Sequence, residues 1–184
     1  YVEESADGIR KPTINRAQLV SVFEDVNYRS AIRYADSSQK QLYQEEAAQI
    51  DRILQRYLEI SRHEPPYDIF ICYKESDENG QRTVDSVIAQ DVYDALTEKG
   101  YRVFFARISL EDKLGRQYEP YIFAAINSAK IMLSFGTKYE YFHAVWVKNE
   151  WSRYLSLIRN GARNTLIPAY RDMDPYDLPE EFSH

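Results

Sequence analysis

Four short apolar runs, at residues 67–73, 101–106, 131–135 and 165–170, alternate with segments whose apolar residues recur at helical spacing. That alternation leaves few folds open. The first run, Tyr-Asp-Ile-Phe-Ile-Cys-Tyr, has a continuous apolar centre, as a strand buried on both faces requires. Buried strands separated by helices form a parallel sheet with right-handed crossovers. The expected class is α/β, flavodoxin-like in outline.

Local signals set the boundaries. Glu64-Pro65-Pro66 stops any helix, because consecutive prolines cannot continue one. Residues 83–99 read as an amphipathic helix with Val84, Val87, Ile88, Val92, Ala95 and Leu96 inward, stopped by Gly100. A loop over 107–119 holds Gly115, and Pro120 opens a helix over 121–129. Gly136 closes the third strand, and a helix over about 144–159 ends at Asn160-Gly161. Pro168 inside the fourth run predicts an edge or strand-end position.

Before the prolines, residues 1–12 read as an irregular lead-in. Two apolar stripes follow, Leu19, Val22, Phe23 and Val26, then Ile50, Ile53, Leu54, Tyr57 and Leu58. Asp36-Ser37-Ser38 between them supplies a turn and an N-cap. The expectation is a helical hairpin in an N-terminal segment, 1–64, ahead of an α/β domain, 65–184. A first residue of Tyr1 rather than Met suggests a piece of something longer.

Composition narrows the function. With 23 basic and 29 acidic residues the formal charge is −6, so nucleic acid and anionic membranes are poor partners. No apolar run approaches the roughly 20 residues of a membrane span, and no signal-peptide pattern opens the chain. The single cysteine, Cys72, excludes an internal disulfide, and its place in an apolar strand favours a buried structural thiol. His63, His143 and His184 show no metal-ligand spacing, so no metal is expected. These features predict a reducing, cytoplasmic setting. The dinucleotide, P-loop, zincin and nucleophile-elbow motifs are all missing. Asp77-Glu78-Asn79-Gly80 lacks the later ligands of a calcium loop. In an open parallel sheet, sites gather at the strands' carboxyl ends. Here these are Tyr73-Lys74, Ala106-Arg107, Phe135-Gly136 and Tyr170-Arg171.

Over about 67–182 the residues resemble Toll/interleukin-1 receptor (TIR) domains, in a texture nearer the bacterial members. Residues 67–73 fit the family's opening D-[VI]-F-[IL]-[SC]-Y strand, and Gly-Tyr-Arg-Val-Phe-Phe at 100–105 is similar to its second. Ile-Ser-Leu-Glu-Asp-Lys-Leu-Gly at 108–115 stands where the family has its mobile BB loop. Residues 129–134 resemble the third strand, and 166–168 the fourth. Trp146-Val147-Lys148-Asn149-Glu150 matches W-x-x-x-E on the helix after the third strand. The family's fifth strand and final helix lie beyond the point where this chain stops.

The resemblance implies either of two functions. Some members are scaffolds that assemble by homotypic contact; others hydrolyse NAD+ to nicotinamide and ADP-ribose or a cyclic isomer, often after head-to-tail self-association. The carboxylate that separates these classes is present as Glu150. Nicotinamide leaves NAD+ as a neutral base, so its departure needs no general acid. The ribose carbon passes through an oxocarbenium-like state, as in glycoside hydrolysis. A carboxylate on the ribose hydroxyls would stabilise the developing positive charge. Trp146, one helical turn away, would wall the pocket.

Tyr73 and Lys74 occupy the strand end where the family contacts its nucleotide. Arg107 and Arg116 flank the BB loop and suit pyrophosphate. Tyr118 corresponds, with a one-residue gap, to an aromatic of that loop, and Trp151 points off the Trp146/Glu150 face toward the core. Family analogy points to NAD+ depletion or nucleotide signalling in antiphage defence. The rivals are a catalytically silent interaction module and, more distantly, a nucleoside deoxyribosyltransferase-like enzyme.

Overall fold

The computed structural model describes residues 2–4, 10–12, 33–111 and 118–182. The chain divides into two compact units, Tyr1–Arg56 and Tyr57–His184. In the first, β1 (Val2–Glu4) pairs antiparallel with β2 (Arg10–Pro12), Glu3 opposite Lys11. The irregular lead-in expected over 1–12 is corrected by this pairing. The stripe at Leu19, Val22, Phe23 and Val26 lies outside the described residues, so one arm of the expected hairpin does too. The other stripe falls on α1 (Ser37–His63), where Asp36 Oδ1 accepts from the Gln39 amide at 3.0 Å. Helix α1 ends immediately before Glu64-Pro65-Pro66.

The second unit is built on a four-stranded, wholly parallel sheet of order β4-β3-β5-β6. The strands are β3 (Ile69–Cys72), β4 (Val103–Phe104), β5 (Ile131–Gly136) and β6 (Thr165–Tyr170). Strand β6 lies at an edge of this sheet, the position Pro168 calls for. Alternation along β3 divides the core into two layers. Ile69, Ile71 and Tyr73 face α2 (Val84–Glu98), among Ala89, Val103, Phe105 and Phe135. Phe70 and Cys72 face the opposite layer, α4 (Glu119–Ser128) and α6 (Val145–Arg159), among Ala125, Met132, Val147, Trp151 and Tyr154. At the start of the unit, Tyr57 packs edge-on against Phe123, ring centroids 5.5 Å apart. Among the described residues no helix is long and apolar enough to cross a membrane.

Two sequence expectations change here. Val84 and Val87, expected inward on α2, are 52% and 48% exposed, and Ala95 is exposed as well. The helix is turned so that Asp85, Ser86 and Ala89 are buried, with Ile88, Val92, Tyr93 and Leu96 packed beside them. The cause is hydrogen bonding. Thr83 caps α2 by accepting from the Ser86 amide at 3.1 Å, and Asp85 Oδ1 accepts from the Thr137 amide at 2.9 Å. The second change is at Arg107, which lies in a one-turn helix, α3 (Ala106–Ser109), and not in an open loop. A second single turn, α5 (Tyr139–Phe142), precedes α6.

Candidate functional site

The loop after β3 is shaped by its own side chains. Asp77 Oδ1 accepts from the amides of Asn79 and Gln81, both at 2.9 Å, and Gly80 turns the chain with φ +75°. Asp77 is therefore spent on a turn. The Thr83 hydroxyl donates to the Lys74 carbonyl, and the Thr83 amide donates to the Glu75 carbonyl at 3.1 Å. These bonds fix Lys74 and Glu75 at the carboxyl end of β3.

Glu75 then becomes a hub. Its carboxylate accepts from Ser86 Oγ at 2.9 Å and from Arg107 Nη1 at 2.8 Å, and the Tyr73 hydroxyl is a third partner. Burial pushes the Glu75 pKa up. The bonds from Tyr73, Ser86 and Arg107, with the Arg107 charge, outweigh that and hold it below the usual range. For Tyr73, burial first and then Glu75 push its phenol well above the ordinary value. The sequence reading missed Glu75, although its position directly after Lys74 at a strand end was available as a signal.

Helix α6 supplies the other wall of a hollow of about 1090 Å³. Glu150 and Trp146, one turn apart, both line it, together with Tyr73, Lys74, Arg107 and Tyr118. Six of the seven residues singled out from the sequence thus meet at one hollow; Arg116 lies outside the described residues. Trp146 is 53% exposed at the rim, whereas Trp151 is buried, its Nε1 donating to the Phe142 carbonyl at 2.9 Å. Glu150 keeps a partial opening to the hollow, but its carboxyl lies deep. Burial raises its pKa to about 7, tempered by a hydrogen bond with the Cys72 thiol. Cys72 is fully buried, with Sγ 3.6 Å from the Val147 carbonyl.

The remaining strand ends form a smaller hollow of about 120 Å³ under Phe135, Gly136, Tyr170 and Arg171. The rim expected from the topology is therefore split between two sites. Among the described residues no three His, Cys, Asp or Glu side chains gather as a metal ion needs.

Chemically, the larger hollow offers a recessed carboxylate, an indole beside it and an ion pair opposite. It has the size of a pocket for a nucleotide-sized ligand. Residues 69–184 match the TIR domain family, and the chain belongs to that family. Among solved structures it is similar to the TIR domains of the activated Roq1 resistosome that directly recognises the pathogen effector XopQ. The identity is 19% and the TM-score 0.45, over 64% of this chain and 66% of that one, so the match spans just under two thirds of that chain. No curated protein matches the chain.

Proposed function

We propose that this TIR domain is an NAD+ glycohydrolase, with Glu150 as its catalytic carboxylate. The observation that carries the reading is that Glu150 and Trp146 open together into a hollow of about 1090 Å³ at the carboxyl end of β3. The C1′–N bond of the nicotinamide riboside breaks with its electron pair going to the pyridinium nitrogen, which leaves neutral. Ionised Glu150 stabilises the positive charge that develops on the ribose. Water then attacks C1′ and loses its proton, giving ADP-ribose, or an internal nucleophile closes a cyclic isomer. Trp146 walls the ribose, Tyr73 and Lys74 meet the nucleotide at the strand end, and Tyr118 borders it. The phosphates lie toward Arg107, and the family resemblance makes Arg116 a second candidate for them. The reaction uses NAD+ as substrate and no metal or cofactor.

On the same reading the chain is of the bacterial type, works in the cytoplasm, self-associates through its TIR domains and depletes NAD+ or makes a nucleotide signal in antiphage defence. The domain division at 64/65 belongs to this reading. A second reading, a non-catalytic scaffold, is favoured by the exposed apolar rim of Val145, Trp146 and Tyr118, which suits a protein contact.

Nicotinamide release from NAD+ at high protein concentration, compared between the wild type and Glu150→Ala, tests the proposal. Release abolished in a variant with an unchanged circular dichroism spectrum is expected. Equal release from both removes Glu150 from the mechanism, and no release from either, with crowding added, leaves the scaffold.

A further inference from the structure

Hydrogen bonds link four side chains from the loop before α2 to the mouth of the large hollow. Arg82 Nε donates to Ser86 Oγ at 3.0 Å, Ser86 Oγ to Glu75 Oε2 at 2.9 Å, and Arg107 Nη1 to Glu75 Oε1 at 2.8 Å. Their directions are forced. A guanidinium only donates and an ionised carboxylate only accepts, so the one proton of the Ser86 hydroxyl goes to Glu75. Each carboxylate oxygen therefore has its own partner, one from α2 and one from α3.

The α2 side of this chain is firmly held. Ser86 is fully buried, and Arg82 Nη2 donates to the Ser86 carbonyl and to Gln90 Oε1, both at 2.9 Å. The Glu75 carbonyl accepts from the Thr83 amide at 3.1 Å. Glu75 is thus fixed through its backbone and through Oε2 without any help from Arg107. Arg107 is differently placed, since its side chain is exposed and would sample many rotamers if left alone. The bond to Glu75 uses one of the five N–H donors of a guanidinium. It leaves the others to a ligand in the hollow that both residues line.

We propose that Glu75 is a positioning residue for Arg107, holding the guanidinium so that its remaining N–H groups meet the pyrophosphate of a dinucleotide. The inference rests on the glycohydrolase reading for the identity of that dinucleotide. A guanidinium meets phosphate oxygens in pairs, which demands orientation as well as charge. A fork held beforehand in its bound orientation spares binding the cost of ordering it. Charge alone predicts the opposite sign. A carboxylate beside the phosphates would repel them, and its removal would tighten binding.

The test is calorimetric titration of ADP-ribose into wild type, Glu75→Ala, Glu75→Gln, Ser86→Ala, Arg107→Gln and the double variant Glu75→Ala/Arg107→Gln. KM and kcat for NAD+ are measured on the same preparations. Glu75→Ala is expected to raise Kd by about tenfold, and Ser86→Ala, which keeps the charge but frees Oε2, by about threefold. Glu75→Gln retains one neutral acceptor for Arg107 and should recover part of the loss. KM for NAD+ should rise with Kd while kcat changes little, because the phosphates are remote from the bond that breaks. In the double variant the loss should equal that of Arg107→Gln alone, since Glu75 acts through that residue. A carboxylate that only tied its loop to α2 would lower the binding-competent fraction and leave Kd unchanged. Unchanged or tighter binding by Glu75→Ala, additive losses in the double variant, or wild type that fails to bind ADP-ribose overturns the proposal. Should Glu75→Ala not fold, Glu75→Gln and Ser86→Ala decide by the same signs. The expected pattern of Kd without nicotinamide release sinks the glycohydrolase reading and leaves the positioning role standing. Nicotinamide release with a KM indifferent to Glu75 does the reverse.

Discussion

Arg107 Nη1 donates to Glu75 Oε1 at 2.8 Å, joining two chain segments 32 residues apart across the mouth of the large hollow. The same carboxylate takes the Ser86 hydroxyl, so one side chain ties the ends of β3 and β4 to the first turn of α2. The guanidinium at the hollow is therefore already partly neutralised.

Glu75 lends stability in a definite pH window. Its folded pKa lies below the ordinary carboxylate value. The stabilisation is present above the unfolded pKa and is lost as pH falls through the folded one. Replacing Glu75 by Gln is expected to flatten the acid limb of stability below about pH 4.5. Both partners are partly exposed, so the loss at neutral pH is held to about 1 kcal/mol. Urea melts of wild type and Glu75→Gln from neutral pH down to about pH 3 measure this. Parallel acid limbs would contradict the assignment.

Glu150 works in the opposite sense. Burial raises its pKa to about 7, so between the unfolded and folded values the native state holds a proton that the unfolded chain has released. Stability from this group is highest below about pH 4.5 and falls as pH rises through about 7. At pH 8 the burden is on the order of 3 kcal/mol, at about 1.4 kcal/mol for each pKa unit. Glu150→Gln is accordingly expected to melt above wild type at pH 8 and close to it at pH 5 and, under the glycohydrolase reading, to lose nicotinamide release. A carboxyl held at such a cost leaves the protein more stable when it is replaced. Equal melting temperatures at both pH values would show that the carboxyl is not desolvated.

How far the sequence disclosed these features depends on the length scale of the interaction. Strand β3 was legible because its apolar residues are contiguous; Trp146 and Glu150 stood out through the resemblance to W-x-x-x-E, and the four-residue spacing adds only that they share a helical face. The inward face of α2 was misread from its valines. What turns that helix is Asp85, 1% exposed, accepting from the Thr137 amide 52 residues away. A buried carboxylate with a distant backbone partner leaves no periodic trace. Glu75 was passed over although it stands at a strand end beside Lys74, because the partners that make it a hub, Ser86 and Arg107, arrive from α2 and α3.

Gly136 closes β5 where no larger residue fits. A Cβ placed there would lie 2.1 Å from the ring of Phe142, which is itself fully buried. The obstacle is an aromatic ring enclosed by the core, so it cannot swing aside cheaply. Gly136→Ala is expected to cost about 1–3 kcal/mol, with α5 displaced. Thermal unfolding of this variant beside Gly136→Ala/Phe142→Leu separates the clash from a backbone effect. The leucine should recover part of the loss, and no recovery would mean that the steric account is wrong.

The two tryptophans, five residues apart on α6, should respond to truncation in different ways. Trp151 is 1% exposed, bonds the Phe142 carbonyl through Nε1 at 2.9 Å, and meets Phe182 edge-on at 5.0 Å. Trp151→Ala removes both packing and a buried hydrogen bond and is expected to cost about 3–5 kcal/mol. Trp146 is 53% exposed at the rim, so Trp146→Ala should change stability by less than about 1 kcal/mol. Its effect belongs to the hollow. Under the glycohydrolase reading, loss of the indole weakens a wall that touches substrate and transition state alike. KM for NAD+ should then rise by about tenfold with a smaller fall in kcat. Urea melts and steady-state kinetics on the same preparations separate the cases. A Trp146→Ala protein that melts like wild type and shows unchanged KM would place the substrate elsewhere on the rim.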